Sequence, residues 1–197
     1  MMKKALVLGM TLAIAATVVA AQEGRAASPA GSSATQLGEN GKWLEITSGR
    51  PIKRYRELWG SGADYGKSLR GNAPVWRAGA NISTRLKTEA PLTIGGKTVA
   101  PGEYSLFIDL KSPTDWTLIV SSFKAKRSGS DPQPGALWGA YEYTPEKDVA
   151  RVAMTVQTLP LAIDQLTWTF ADVSAQGGKI VLLWDKVAAA APFGIGK

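Results

Sequence analysis

Apolar and polar residues alternate with a period of two through most of the chain after residue 42. In the first such run, Leu44 and Ile46 alternate with Trp43, Glu45 and Thr47. Five later runs share the pattern, and their apolar members are Tyr104, Leu106, Ile108 and Leu110; Trp116, Leu118 and Val120; Val152, Met154 and Val156; Leu166, Trp168 and Phe170; and Ile180, Leu182 and Trp184. Neighbouring side chains of a β-strand point to opposite faces, so each run predicts a strand with an apolar inner face and a polar outer face.

The apolar faces of these strands are expected to meet in one core between two sheets, because inward-facing positions of separate strands interdigitate in a sandwich. The residues predicted for that core are Leu106, Ile108, Val152, Met154, Leu166, Trp168, Leu182 and Trp184. The alternate positions of the 104–110 run, which include Phe107, are expected on the outer face.

Glycine and proline separate the predicted strands. Gly95-Gly96 lies between two short apolar segments and predicts a two-residue hairpin turn, whereas Pro101-Gly102 predicts a type II turn before the next strand. No segment after residue 21 has ten residues with a helical period, and residues 51–59 and 64–69 are expected to form a turn or two at most. This pattern predicts an all-β fold, an antiparallel β-sandwich with one long irregular loop region.

The first 21 residues have the pattern of a secretory signal peptide. Lys3 and Lys4 precede an uncharged apolar run over residues 5–19, and small residues follow it. We expect cleavage after Ala20 or Ala21, because the apolar run is shorter than the ~20 residues of a membrane-spanning helix. The sequence therefore predicts a periplasmic or secreted protein with no transmembrane span after cleavage.

The remaining chain divides into three parts by composition. Residues 22–40 are rich in Ala, Ser and Gly without periodicity, which indicates a flexible linker. Residues 41–187 contain all the predicted strands and form the predicted β-sandwich domain. Residues 188–197 are expected to be a flexible tail.

The sequence contains no cysteine and no histidine. Serine and cysteine nucleophiles activated by histidine, zinc sites made of these residues and disulfides are therefore excluded. A calcium site is not indicated either, because no Asp-x-Asp-x-Asp-Gly run is present. The sequence predicts neither a metal site nor a cofactor.

The chain is basic, with a formal net charge of +7. Predicted cleavage removes two of the 23 basic residues and none of the 16 acidic ones, so the mature chain stays basic. The basic residues form two short clusters, Arg50/Lys53/Arg54/Arg56 and Lys124/Lys126/Arg127. Neither cluster has the pattern of repeated aromatic residues that stacks nucleic-acid bases, and an exported protein rarely meets nucleic acid, so no nucleic-acid partner is expected. Solvated surface charge, an anionic ligand or an envelope surface remain as interpretations.

Residues 49–81 form a long stretch without strand pattern, and such loops are usually functional or disordered. Arg50, Arg77 and Asn81 are the candidate ligand-binding residues within it. Two guanidinium groups and an amide can hold a carboxylate, a phosphate or a sulfated sugar by charge-assisted hydrogen bonds. The alternative interpretation is structural, with the arginines bonding backbone carbonyls and Asn81 adopting a turn conformation.

Four aromatic residues outside the regular strands, Trp76, Trp138, Tyr141 and Tyr143, complete the candidate site. Their rings are suited to stack on a sugar, and the alternative is that they belong to the core. Trp43, Trp116, Trp168 and Trp184 lie in strand runs and are expected in the core or on the sheet surface.

Several segments together resemble a known family. They are Ser48-Gly49-Arg50-Pro51, Val75-Trp76-Arg77-Ala78-Gly79-Ala80-Asn81, Ile94-Gly95-Gly96-Lys97, Pro101-Gly102-Glu103-Tyr104-Ser105-Leu106-Phe107, Trp138-Gly139 with Tyr141 and Tyr143, Asp148-Val149 with Arg151-Val152, and Leu183-Trp184. In order and spacing, over residues 43–193, they resemble a bacterial exported family, domain of unknown function 2911. The resemblance implies a small exported β-rich domain and implies no reaction.

The function predicted from the residues is that of an exported, non-enzymatic domain that binds a small anionic or sugar-like ligand or an envelope partner. The alternative is a carboxylate-dependent hydrolase of a cell-envelope or carbohydrate substrate, which needs two acids within about 5–10 Å in one cleft. Candidate acids are Asp109, Asp115, Asp131, Glu142, Glu146 and Asp148. A third possibility is a structural module, which would expose an apolar patch or an open edge strand.

Overall fold

A computed structural model of the chain describes residues 27–196. Its strands are β1 (Ala30–Gln36), β2 (Trp43–Gly49), β3 (Ala80–Thr88), β4 (Leu92–Ile94), β5 (Lys97–Val99), β6 (Gly102–Leu110), β7 (Trp116–Ser121), β8 (Lys124–Ala125), β9 (Ala136–Leu137), β10 (Asp148–Ser174) and β11 (Gly177–Ile195). One short helix, α1 (Lys67–Arg70), and two 3₁₀ turns, Gly62–Asp64 and Pro145–Lys147, accompany them. The predicted all-β class with short helical turns is confirmed.

Nine of the strands form one open antiparallel sheet in the order β1-β2-β3-β6-β7-β10-β11-β4-β5. The 27-residue strand β10 joins its two halves. Its first part pairs with β7 as far as Met154, and its second part pairs with β11 from Thr155 onward. Register shifts on both sides of Ile163 interrupt the β10–β11 ladder, and irregularities of this kind bend a strand. The two halves of the sheet therefore enclose a common core.

The main core contains all the residues predicted for it. Leu106, Ile108, Met154, Leu166, Trp168, Leu182 and Trp184 are buried in one cluster, and Val152 packs against it half-buried. Leu44 and Ile46 are buried in the same cluster, whereas Trp43 is exposed. The period of two thus identified the inner faces of these strands correctly.

Strands β6 and β7 are not one-sided, and here the expectation was wrong. Phe107, predicted on a polar outer face, is completely buried, as is Ile119 of β7. They belong to a second cluster with Ala73, Val75, Phe123, Leu137, Ala140 and Tyr143. The segments that carry these residues cover the outer face of both strands. The local period could not show this, because the covering residues lie far away in sequence.

The predicted linker and tail need correction. Residues 30–36, expected to be flexible, form β1 and pair with β2 from Ala30↔Gly49 to Gln36↔Trp43. Residues 188–195, expected in a loose tail, continue β11, where Ala189, Ala191 and Phe193 are buried. Strand pairing uses backbone groups, so runs of small residues can join a sheet although their composition resembles that of a linker.

The predicted signal peptide, residues 1–21, and the start of the predicted linker lie outside the described residues. From residue 27 to residue 196, no helix has the length and apolarity needed to cross a membrane.

Candidate functional site

A cavity of about 800 Å³ lies beside the main core, where three loop segments meet the residues before β1 and Trp184 of β11. One segment follows β2, the second leads into β3 and the third follows β9. The residues that line it are Ala27, Ser28, Pro51, Ile52, Arg54, Tyr55, Arg56, Ser68, Leu69, Trp76, Arg77, Gly79, Ala80, Asn81, Trp138 and Trp184. Its volume is within the range of about 300–1,000 Å³ that small-molecule sites usually have.

The floor of the cavity is made of tryptophan. Trp76 forms an isolated bridge with Ile108 of β6, each donating its backbone N–H to the other's carbonyl at 2.8 Å. This bridge holds the Trp76 indole in the core, where it stacks on Trp184 with ring centres 6.1 Å apart. Trp59 packs edge-on against both rings, and Trp116 packs edge-on against Trp76 and lies tilted against Trp59. Because the rings support one another, the floor is rigid and apolar.

Arg77 follows Trp76 directly and forms one side of the cavity. Its Nη1 donates to the backbone carbonyl of Asn81 at 2.8 Å, and its guanidinium carbon lies 5.7 Å from the ring centre of Tyr141. Gly139 lies against the guanidinium: a Cβ at that position would be 2.7 Å from the Arg77 Cζ. The absence of a side chain at Gly139 therefore leaves the space that the Arg77 guanidinium occupies.

Arg56 also lines the cavity. Its Nε and Nη2 donate to the carbonyls of Lys53 and Ile52 at 3.1 and 2.6 Å, and its guanidinium lies 5.8 Å from the ring centre of Trp184. The segment itself is anchored to β10, because Ile52 bridges Gln165. Arg56 is thus oriented by neutral carbonyls and an aromatic ring, and its charge is not neutralised by them.

The cavity is positively charged. Arg54, Arg56 and Arg77 line it, and no Asp or Glu of the described residues does so. None of the three arginines is in an ion pair with a carboxylate of residues 27–196. Guanidinium groups in a concave site without acidic partners attract anions.

Three non-glycine residues of the segments around the cavity have positive φ angles: Arg54 at 56°, Ala78 at 49° and Asn81 at 62°. Asparagine tolerates this conformation, whereas for alanine it costs about 1–2 kcal/mol. The carbonyl of Ala78 accepts hydrogen bonds from Trp168 Nε1 at 2.8 Å and Thr84 Oγ1 at 3.0 Å, and both donors are buried. The core therefore holds the backbone next to Arg77 in a strained conformation.

The structure brings four of the seven candidate residues to the cavity: Trp76, Arg77, Asn81 and Trp138. Trp76 is almost completely buried, so it belongs to the core and to the cavity floor at once. Trp138 is partly exposed in the wall. The Nδ2 of Asn81 donates to the carbonyl of Ser28 at 3.4 Å.

The other three candidates do not line the cavity. Arg50 donates to the Leu166 carbonyl at 3.2 Å and to Thr167 Oγ1 at 3.1 Å, and so ties β2 to β10. Tyr141 lies behind Arg77, under its guanidinium. Tyr143 is buried in the second cluster. Arg50 thus makes the carbonyl contacts of the structural interpretation.

Arg54, Tyr55, Arg56 and Trp184 line the cavity but were not among the candidate residues. The sequence pattern distinguishes the two arginines only as part of a basic cluster. The density of charge in residues 50–56 was the available signal. The period of two places Trp184 on a strand face. Its second role at the cavity depends on the position of residues 52–56, which its own strand does not specify.

Two of the candidate acids, Asp109 and Asp148, both contact Arg151, at 3.4 and 2.7 Å. Tyr143 donates to Asp148 Oδ2 at 2.6 Å, and burial together with this carboxylate raises the pKa of Tyr143 well above its ordinary value. Neither acid lines the cavity. Among residues 27–196, no group of three or more acidic residues is placed to hold a metal ion.

The sequence was also compared with known proteins. The family described as protein of unknown function (DUF2911) matches residues 28–193, which is most of the chain. The chain belongs to this family. The expected membership is therefore confirmed, and Trp76, Arg77, Asn81 and Trp138 all lie within the matched range. No curated protein and no solved structure matches the chain.

Proposed function

We propose that this protein is a binding domain that holds a small anionic ligand in the cavity between Arg56 and Arg77. The observation that carries the proposal is the set of three arginines without an acidic partner among the residues that line the cavity. Arg56 and Arg77 are each held by backbone carbonyls over an aromatic ring. Such groups present fixed N–H donors to a carboxylate or phosphate.

The cost of keeping these cations together supports a role in binding. Like charges in one partly enclosed site repel each other, and the strained backbone at Ala78 adds to the cost. An anion bound between the arginines would relieve the repulsion. Binding is therefore expected to stabilise the fold as well.

A carboxylate-dependent hydrolase is less well supported at this site. Both hydrolytic mechanisms need two acids on opposite sides of the scissile bond. The described part of the chain contributes no acid to the cavity lining, and Asp109 and Asp148 are engaged by Arg151 elsewhere.

Binding can be tested by thermal shift and calorimetry with phosphate, citrate and acetate as probes. An anion at 100 times its dissociation constant should stabilise the protein by about 2.7 kcal/mol. Arg77→Gln should weaken binding about tenfold or more, because a charged hydrogen-bonding group is lost. The matched control is Arg127→Gln, which removes the same charge from an exposed loop outside the cavity. Equal weakening by both variants, or no response of the wild type to any anion, would refute the proposal.

We also propose that the protein is exported through its N-terminal signal. The basic, apolar and small residues that follow one another over residues 1–21 support this. The intact mass of the protein from the extracytoplasmic fraction should correspond to a chain that begins at Ala21 or Gln22. Recovery of the full-length chain from the cytoplasm would contradict export.

A further inference from the structure

The arginines and the partly exposed indole of Trp138 are accessible in the cavity, whereas the two tryptophans of its floor are almost completely buried. Trp76 and Trp184 form its floor and stack on each other. Trp138 is in the wall, is partly exposed, and stacks on no other aromatic ring of the described residues. A ligand that used only the arginines would leave this ring facing solvent.

We propose that the anion held here is an acidic saccharide, a sugar ring that carries a carboxylate or a phosphate. This inference rests on the proposed function and goes further by naming the ligand class. The cavity of about 800 Å³ is much larger than an inorganic anion such as phosphate. The remaining space is bounded partly by indole and partly by polar groups, so it suits a ligand with both kinds of surface.

A sugar fits these walls better than a flat aromatic acid does. A pyranose has C–H groups on its faces, which can pack on an indole, and hydroxyl groups around its edge. Asn81 and Ser28, which both line the cavity, carry an amide and a hydroxyl group. An aromatic acid would cover these polar groups without bonding to them, which costs binding free energy.

The test uses acidic sugars and their fragments, measured by calorimetry on the wild-type protein. The acidic sugars are glucuronate and glucose 6-phosphate, and the fragments are glucose, acetate and phosphate. Each acidic sugar should bind at least about tenfold more tightly than either of its own fragments, because both surfaces are then used. Benzoate, a flat aromatic acid, should bind more weakly than glucuronate.

Two sets of variants separate the contributions. Trp138→Ala should weaken the binding of both acidic sugars and leave phosphate binding unchanged, whereas Trp138→Phe should retain most of the sugar affinity. Trp43→Ala removes an exposed indole outside the cavity and should change neither sugar binding nor phosphate binding. Gly139→Ala displaces the Arg77 guanidinium and should weaken the binding of every anion. Its control is Gly135→Ala, where φ is similar, 69° against 67°, and no atom lies within 4 Å of the added Cβ.

The outcomes distinguish the two proposals. If phosphate binds as tightly as glucose 6-phosphate, or benzoate more tightly than glucuronate, the saccharide inference is wrong while anion binding stands. If Trp138→Ala lowers phosphate and sugar affinity equally in a protein that melts normally, the ring does not contact the sugar and the inference fails. If glucose binds as tightly as glucuronate, or no probe binds at millimolar concentration, both proposals fail.

Discussion

The hydroxyl group of Tyr143 is at the centre of a small polar network between the second cluster and the outer side of β10. It donates to Asp148 Oδ2, and Arg151 Nη1 donates to both groups, at 3.1 Å to the hydroxyl and 2.7 Å to the carboxylate. Burial, and then the hydrogen bond and charge of Asp148, raise the pKa of Tyr143. Loss of the phenol proton is thus harder in the folded state than in the unfolded chain.

This pKa difference predicts sensitivity to alkali. The stabilisation is fully present below the unfolded tyrosine pKa of about 10 and is lost as pH rises toward the higher folded value. The free energy of unfolding of Tyr143→Phe should therefore fall less between pH 9 and 11 than that of the wild type. Urea melts at each pH measure this difference. Tyr55→Phe is the control, because that side chain is fully exposed. Identical pH profiles for wild type and Tyr143→Phe would contradict the prediction.

Single residues also show where the sequence stops being informative. Arg50 and Arg77 had equal standing as candidates, since both are arginines in one irregular stretch. They differ because Arg50 meets the Leu166 carbonyl, 116 positions away, whereas Arg77 bonds to Asn81, only four positions away. Residue type and neighbours indicate which bonds an arginine can make, and only the tertiary fold decides which carbonyl is within reach.

At the scale of elements, the hairpin β4–β5 was predicted correctly from Gly95-Gly96. Both glycines have positive φ, 55° and 74°, as a two-residue hairpin turn requires. The sequence alone was sufficient to predict this turn, because its conformation depends only on neighbouring residues. The burial of Phe107 was missed for the opposite reason: it depends on Ala73 and Val75 and on residues 123–143, which cluster with it over the outer face of β6.

The two glycines of that turn are predicted to differ in tolerance. Gly96→Ala faces open space and should cost only the positive φ, about 1–2 kcal/mol. Gly95→Ala would in addition drive its methyl group into the backbone carbonyl of Arg151 on β10, and should cost roughly 1–3 kcal/mol more, the range for overpacking. Urea unfolding of both variants measures the difference. Equal losses would mean that the hairpin does not pack on β10 as described.

At the scale of the whole molecule, strand β11 lies between β10 and the β4–β5 hairpin and connects them in one sheet. Beyond Val187, β11 still pairs with β10 and then with β4, through Gly194↔Thr93 and Ile195↔Leu92. Phe193 is buried in the main core. Composition alone predicts a loose tail here, because the run of alanines has no strong hydrophobic period. The alternate burial of Ala189 and Ala191 is recognisable only when β11 is seen paired with its neighbouring strands.

A chain that ends at residue 187 is therefore predicted not to fold cooperatively. Loss of Phe193 alone should cost about 3–5 kcal/mol, measurable in Phe193→Ala, and typical domains have only about 5–15 kcal/mol in total. The truncated chain should show no sharp thermal transition by circular dichroism. A chain that lacks only Lys197 serves as control and should melt like the full chain. If the truncated chain melted within a few degrees of the full chain, the prediction would be wrong and residues 188–197 would behave as a flexible tail.

The bond between Arg50 and Leu166 has a consequence for the rate at which the molecule reaches its native state. The β10–β11 hairpin turns at residues 175–176 and joins neighbours in sequence, so it can form within microseconds. Closing β2 onto β10 instead requires two chain segments 116 residues apart to find each other. Folds dominated by such distant pairings take milliseconds to seconds. The walls of the cavity that contains Arg56 and Arg77 also come from segments far apart in sequence, among them residues 51–56, Trp138 and Trp184. A freshly refolded chain should therefore recover ligand affinity only in its slowest kinetic phase.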